Sequence, residues 1–261
     1  NIWRSILKKM ILCEGDSWTS GDMINPELKT LNVNHEDNDD YRLPKVWPHK
    51  LGKLLGVDVL NTSMAGSSND GIVRRVVSNV LDLLKKYNSK DIFVIVGWSS
   101  PERKDFYFND GNDKHWETIF PNAINDIEQI DQISNIEKER QEFYKTYVQY
   151  YWNEEEYFNR YIHNNLYLHY FLKSNNIEHL FFDAFYETEL GHHHKSQMRD
   201  VIDNDDFLQI TKDIFKKTSF KNFLLDDNNE FKDGLFNELD PHPSEKGHQL
   251  WAEELYKDIS E

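Results

Sequence analysis

The sequence predicts an α/β fold built on a parallel sheet. Short apolar runs alternate with amphipathic helical patterns through its first part, the order expected of right-handed βαβ units. A length of 261 residues suits one large domain with insertions better than two independent domains. Sixteen Phe, thirteen Tyr and seven Trp, within a hydrophobic content of 38%, supply the apolar volume of a core.

Met10 to Glu14 reads as a buried strand that ends at the Gly15 turn. Residues 32–42 (NVNHEDNDDYR) are polar and acidic and read as an exposed loop. From Trp47 to Leu55 apolar residues recur at helical spacing, and Gly56 is the expected stop. Val57-Asp58-Val59-Leu60 is a second strand, followed by the turn-rich NTSMAGSSNDG. Ile72 to Tyr87 is an amphipathic helix with Val73, Val76, Val77, Val80, Leu81 and Leu84 on one face. Ile92 to Val96 (IFVIV) is a third strand.

Pro101 to about Ser134 is polar and patternless and reads as inserted chain. Two helices rich in Tyr and Phe follow, Glu139 to Tyr151 and Glu154 to Leu172, with Asn153 and Glu156 as N-cap and reciprocal partner. Their tyrosine stripe reads as packing first, although an exposed member could stack on a sugar or aryl group. Ile177 to Phe182 is a fourth strand. Residues 187–206, with Gly191-His192-His193-His194, read as a loop, and 207–217 as a helix. Phe220 to Leu225 reads as a further strand or the end of a packed loop. Ser244 to Ile259 is the closing helix, with Ser244 as its N-cap. The expected organisation is one domain, 1–261, with an insertion at about 101–175 that serves as a lid, a dimer surface or a partner-binding arm.

A formal net charge of −16 repels DNA, RNA and anionic membranes, so neither nucleic acid nor membrane is an expected partner. Cys13 is the one cysteine, which leaves no intramolecular disulfide and no Cys-based zinc site; within its apolar run it reads as a core filler. No metal or cofactor is expected, and no glycine-rich phosphate loop follows any strand. No apolar stretch approaches the length of a membrane span. Lys8 and Lys9 interrupt the first apolar residues, which do not read as a signal peptide, and a cytoplasmic location is the default expectation.

The chemistry sits at the strand ends, where parallel sheets bind ligands. The first strand ends in Gly15-Asp16-Ser17. The second leads to Ala65-Gly66-Ser67-Ser68-Asn69-Asp70, and the third to Gly97-Trp98-Ser99-Ser100. Near the C-terminus stands Asp240-Pro241-His242-Pro243-Ser244. Serine, glycine amides, aspartate and histidine are the parts that acyl transfer requires. A serine hydroxyl is a weak nucleophile until a base takes its proton, and imidazole is the base suited to neutral pH. An aspartate orients that imidazole, and the tetrahedral oxyanion needs preorganised N–H donors.

GDSWT at 15–19, NTSMAG at 61–66, VGWSS at 96–100 and DPHPSEKGH at 240–248 resemble the four blocks of the SGNH/GDSL hydrolase family, in order. The resemblance implies a flavodoxin-like three-layer α/β/α sandwich and an esterase-type reaction. It implies Ser17 as nucleophile and as an oxyanion donor through its amide, Gly66 as second donor, His242 as base and Asp240 as its orienting acid. Asp16 would brace the turn that presents Ser17. The variant with GWSSPER and HPSEKGH is similar to members carried by bacteriophages.

Two positions depart from the family pattern. Its third block carries an Asn as third oxyanion donor, and Ser99 stands in that place here. A hydroxyl has only one proton to give, so Asn69, from a neighbouring strand end, is an alternative amide. The last block reads D-x-H instead of D-x-x-H. Pro241 favours an extended Asp240, and residues i and i+2 of an extended chain share a side, which would let Asp240 reach His242; otherwise a backbone carbonyl orients the ring. Trp18 and Trp98 flank the site and either line an acyl or sugar pocket or fill core. The expected substrate is a small-molecule or carbohydrate ester, cleaved by water or transferred to a sugar hydroxyl. A catalytically weakened module that binds glycan or peptide is the non-enzymatic alternative.

Overall fold

In chain order the elements are β1 (Met10–Glu14), α1 (Ser17–Ser20), α2 (Glu36–Arg42), α3 (Trp47–Leu55), β2 (Asp58–Asn61), α4 (Asn69–Leu83), β3 (Ile92–Trp98), β4 (Lys104–Asn109), β5 (Lys114–Ile119), α5 (Lys138–Tyr150), α6 (Glu154–Ser174), β6 (Glu178–Asp183), α7 (Phe220–Leu224), β7 (Phe236–Asn237), β8 (Asp240–Pro243) and α8 (Glu245–Ser260). The computed structural model describes residues 8–24, 36–109, 114–120, 138–185, 215–216, 218–237 and 240–260. Strands β2, β1, β3 and β6 pair in that order, every neighbour parallel. Helices cover both faces, giving the expected flavodoxin-like three-layer α/β/α sandwich.

Alternation along the strands divides the core in two, because successive strand side chains face opposite ways. Leu12, Val94, Val96 and Phe181 pack with Ile72, Val76 and Val80 of α4 and with Tyr161, Ile162 and Leu168 of α6. One step along the same strands, Ile11, Cys13, Phe93, Ile95 and Phe182 pack with Trp47 and Leu51 of α3, Phe220 and Leu224 of α7, and Trp251 and Leu255 of α8. Each such side chain, once fully buried, contributes about 1.5–3 kcal/mol of transfer free energy. Cys13 is fully buried, as its apolar run suggests.

The helix boundaries follow their caps. Gly56 closes α3 in the left-handed conformation at φ 69°. Ser68 Oγ accepts the Gly71 N–H at 3.1 Å, so α4 starts at Asn69, ahead of the Ile72 expected from apolar spacing. Asn153 Oδ1 accepts the Glu156 N–H at 2.8 Å and caps α6. The reciprocal arm is not made: the Glu156 carboxylate pairs with Lys104 and Arg160. Ser244 Oγ accepts the Gly247 N–H at 3.2 Å and caps α8.

Three expectations are corrected. The polar stretch at 32–42 is not all loop, since Glu36–Arg42 is helical. Arg42 is buried and donates to the Ser20 carbonyl and to Asp39, polar anchors that no apolar periodicity reveals. Pro101 to Ser134 is not patternless throughout, because β4 and β5 form an antiparallel hairpin. Its alternation is masked by the apolar run Phe106-Tyr107-Phe108, where Phe106 and Phe108 pack toward Ile119, Tyr144 and Tyr147 while Tyr107 lies outside on Trp116. Phe220–Leu224 is a short helix and not a strand, because Ser219 Oγ caps it through the Asn222 N–H at 3.1 Å. The His192–His194 loop lies outside the described residues, as does the expected helix at 207–217 except for Phe215 and Lys216.

Candidate active site

The sheet order reverses between β1 and β3, the switch point at which open α/β sheets bind ligands beyond their carboxyl ends. Strand β1 is followed there by Asp16, the N-cap of α1. Asp16 Oδ1 accepts the Trp18 N–H at 3.0 Å, and its carbonyl accepts the Thr19 and Ser20 N–H groups at 3.0 and 2.8 Å. Gly21, in the left-handed conformation at φ 82°, ends the turn. Ser17 is therefore the first residue of one tight helical turn whose shape Asp16 fixes. Gly15 permits it, because a Cβ there would stand 2.9 Å from the Gly97 carbonyl of β3. The Ser17 N–H makes no hydrogen bond among the described residues.

The turn after β2 comes alongside. The Thr62 and Met64 N–H groups donate to the Cys13 and Gly15 carbonyls at 3.1 and 3.3 Å, and Asn61 Nδ2 donates to the Thr19 carbonyl at 3.3 Å. Gly66 follows at φ 74°, and its N–H likewise makes no hydrogen bond among the described residues. Beneath both turns lies Glu14, fully buried and bonded to Arg75 Nε and Nη2 at 3.0 and 2.8 Å, to Thr62 Oγ1 at 2.6 Å and to the Gly15 N–H at 3.1 Å. Burial pushes its carboxyl above the ordinary range, and Arg75, Thr62 and Gly15 pull it back.

The third strand end is bonded into the same cluster. Ser99 donates its hydroxyl to Asp16 Oδ2 at 2.9 Å, while its backbone N–H and carbonyl bond Asn69 Oδ1 at 2.8 Å and Nδ2 at 3.1 Å. Arg103 Nη1 donates to Asp16 Oδ2 at 3.2 Å, to Ser99 Oγ at 2.7 Å and to the Ser67 carbonyl at 3.3 Å. Ser99 and Asn69 are both almost fully buried. Trp98 is fully buried against Phe181 and Tyr161, so it fills core. Trp18 is buried in an aromatic wall, edge-on to Phe185, Phe220 and Phe236 at 5.0, 5.4 and 5.7 Å.

The C-terminal block reaches this cluster from the other side. Strand β8, which carries His242, packs against α1, and Asn237 Nδ2 donates to the Met23 carbonyl at 2.6 Å. His242 is half-buried. Asp240 lies opposite Asn237 in the β7–β8 ladder, and its side chain is outside the described residues. His248, on the face of α8 that carries Trp251 and Leu255, is fully buried; its Nδ1 accepts the Trp47 N–H at 3.3 Å. Burial, with the nearby Lys50 and His242, pushes it down to about 3.

Glu14, Arg75 and Arg103 are the site residues that motif reading missed. Glu14 had a signal, a carboxylate that closes the apolar run Met10–Cys13. Arg103 lay in the stretch read as patternless. Among the described residues no cluster of three or more His, Cys, Asp or Glu is placed to hold a metal ion, and no helix is long and apolar enough to cross a membrane.

The fold is that of the lipolytic G-D-S-L proteins. A protein assigned to that family from Desulfitobacterium hafniense DCB-2 superposes with a TM-score of 0.50 at 16% identity, over 96% of this chain and 99% of its own. Two further similar structures are esterase EstA from a Pseudoalteromonas species (TM-score 0.47, 14% identity, 97% of each chain) and a variant of an acetyl-xylooligosaccharide esterase from Geobacillus (TM-score 0.48, 14% identity, 98% of this chain and 96% of that one). A search of curated protein sequences finds no match. In sequence, residues 28–259 match the profile of a family described as of unknown function, DUF6071, and the chain belongs to that family.

Proposed function

We propose that the protein is a serine ester hydrolase that cleaves small acyl groups, with an acylated carbohydrate as the substrate class. Ser17 is the nucleophile, His242 its general base, and Asp240 the acid that orients the imidazole. The Ser17 and Gly66 amides receive the oxyanion. Ser17 Oγ adds to the acyl carbon as His242 takes its proton, and the alcohol leaves with that proton. Water, deprotonated by the same imidazole, then releases the acid from Ser17.

The observation that carries this reading is the pair of uncommitted N–H groups at Ser17, at the switch point and in the turn that β8 packs against, and at Gly66, in the adjoining turn after β2. The Trp18, Phe185 and Phe236 wall favours a short acyl group over a long chain. Exposed Tyr107 and Trp116, neighbours on the hairpin with rings tilted by 57° at 5.2 Å, favour a sugar as the alcohol part.

A fluorophosphonate probe, followed by peptide mapping, tests the reading. Modification at Ser17, lost in Ser17→Ala and slowed in His242→Ala, is expected. A folded protein that leaves the probe unreacted refutes the enzyme and favours the binding module. Product analysis with an added sugar acceptor separates hydrolysis from acyl transfer.

A further inference from the structure

The two side chains expected to give a third hydrogen bond to the oxyanion have other work. A serine hydroxyl carries one proton, and Ser99 gives its own to Asp16 Oδ2 at 2.9 Å. The Asn69 amide is closed into a ring with the Ser99 backbone, accepting at 2.8 Å and donating at 3.1 Å. Arg103 differs. Nη1 makes all of its hydrogen bonds, to Asp16, Ser99 and Ser67. Nη2 and Nε, three of the five N–H groups, make none among the described residues.

The free edge of that guanidinium has a defined setting. The side chain is 16% exposed, so it is largely withdrawn from water. Its carbon lies 4.8 Å from the Phe120 ring centroid and 5.6 Å from that of Phe185. Phe120 is the ring that a Cβ on Gly66 would meet at 3.1 Å, and Phe185 packs on Trp18, next to Ser17. Arg103 is thus held by Asp16, the residue before Ser17, and by the carbonyl of Ser67, the residue after Gly66. It bridges the two turns whose amides are free.

We propose that Arg103 is the third oxyanion donor, acting through Nη2 or Nε in place of the family's side-chain amide. The proposal deepens the esterase reading and rests on Ser17 as nucleophile. When Ser17 Oγ bonds to the acyl carbon, the carbonyl π pair moves onto oxygen and the Ser17 proton moves to His242. The new charge is shared by the Ser17 and Gly66 N–H groups and Arg103. When the adduct collapses, the pair returns to the carbonyl and the alcohol departs with the proton from His242. Asp16 keeps the donor in place before the charge develops, so no reorganisation is needed at the moment of reaction.

The test compares kcat and KM for p-nitrophenyl acetate, the rate of Ser17 phosphonylation by the fluorophosphonate, and the melting temperature in wild type, Arg103→Lys and Arg103→Ala. For both variants kcat and phosphonylation fall by about 10²–10³-fold while KM changes by less than about threefold. Added guanidinium restores part of the activity of Arg103→Ala. If Arg103→Ala does not fold, Arg103→Lys decides the matter, because lysine keeps the positive charge but lacks the planar fork that gives one edge to Asp16 and the other to the oxyanion. A Lys variant with wild-type kcat overturns the proposal. So does a loss confined to KM, which would make Arg103 a substrate-binding residue only. In either case a dead Ser17→Ala leaves the esterase reading standing. A wild-type protein that neither turns over the ester nor reacts at Ser17 overturns both.

Discussion

The Ser99 hydroxyl stands 2.9 Å from Asp16 Oδ2 and so ties the turn after β3 to the turn after β1, across 83 residues of chain. Asp16 spends its other oxygen on the Trp18 N–H that starts α1. One buried carboxylate therefore sets the turn bearing Ser17, the position of Ser99 and the placement of Arg103.

Asp16→Asn tests that relationship. The new amide can still accept from Trp18, but its NH₂ then faces two donors, Ser99 Oγ–H and Arg103 Nη1. Removing one partner of a buried ion pair costs about 3–5 kcal/mol. A fall of that size in urea-unfolding free energy is expected, and an unchanged midpoint would show that Asp16 is not the brace.

Ser17→Ala separates chemistry from folding. The Ser17 hydroxyl holds no hydrogen bond among the described residues, so unfolding free energy stays within about 0.5 kcal/mol of wild type. Ester turnover falls by roughly 10⁴–10⁶-fold. Steady-state kinetics and denaturation of the same preparation check both halves.

Gly66→Ala loads a side chain onto a residue at φ 74°, with Phe120 3.1 Å from the new Cβ. Left-handed backbone costs a non-glycine residue roughly 1–2 kcal/mol. Turnover falls further than this strain accounts for, because the amide is displaced from the oxyanion; a variant with lower stability and wild-type kcat contradicts the role of Gly66.

Stability falls with acid through His248. Its folded pKa, about 3, lies below the ordinary 6.5, so between those values the unfolded chain binds a proton that the folded chain refuses. Stability is complete above 6.5 and is lost as the pH drops toward 3, at up to about 1.4 kcal/mol per pH unit from this group. His179, pushed down to about 4 chiefly by burial, adds to the loss in the same direction. In His248→Gln, unfolding measured from pH 7 to pH 4 shows a shallower slope; an identical slope would mean that His248 is charged in the folded protein.

The sheet was legible because burial on both faces writes itself as continuous apolar runs: Met10–Glu14 was located to the residue, and Ile92–Trp98 only lacked its last two positions. Caps were legible where a side chain serves its own neighbourhood, as at Asn153 and Ser244. What escaped was held by contacts between distant polar groups. Arg42 anchors α2 to Ser20, and Arg103 joins three strand ends, and neither leaves a periodicity. Of the candidate site, the turns that hold Ser17 and Gly66 were legible as glycine-containing strand ends. The hydrogen-bond partners of Ser99 and Asn69 were not, because hydroxyls and amides do not declare their partners in one dimension.

The hairpin holds two residues of the candidate site at once. Arg103 is the residue before β4 and Phe120 the residue after β5, so both feet of one hairpin stand at the candidate site. Lys104 and Asp105 clamp those feet to α6 and α4 through Glu156 and Arg74. Loosening either ion pair would therefore shift Arg103 and Phe120 together, and with them the setting of the turns that carry Ser17 and Gly66.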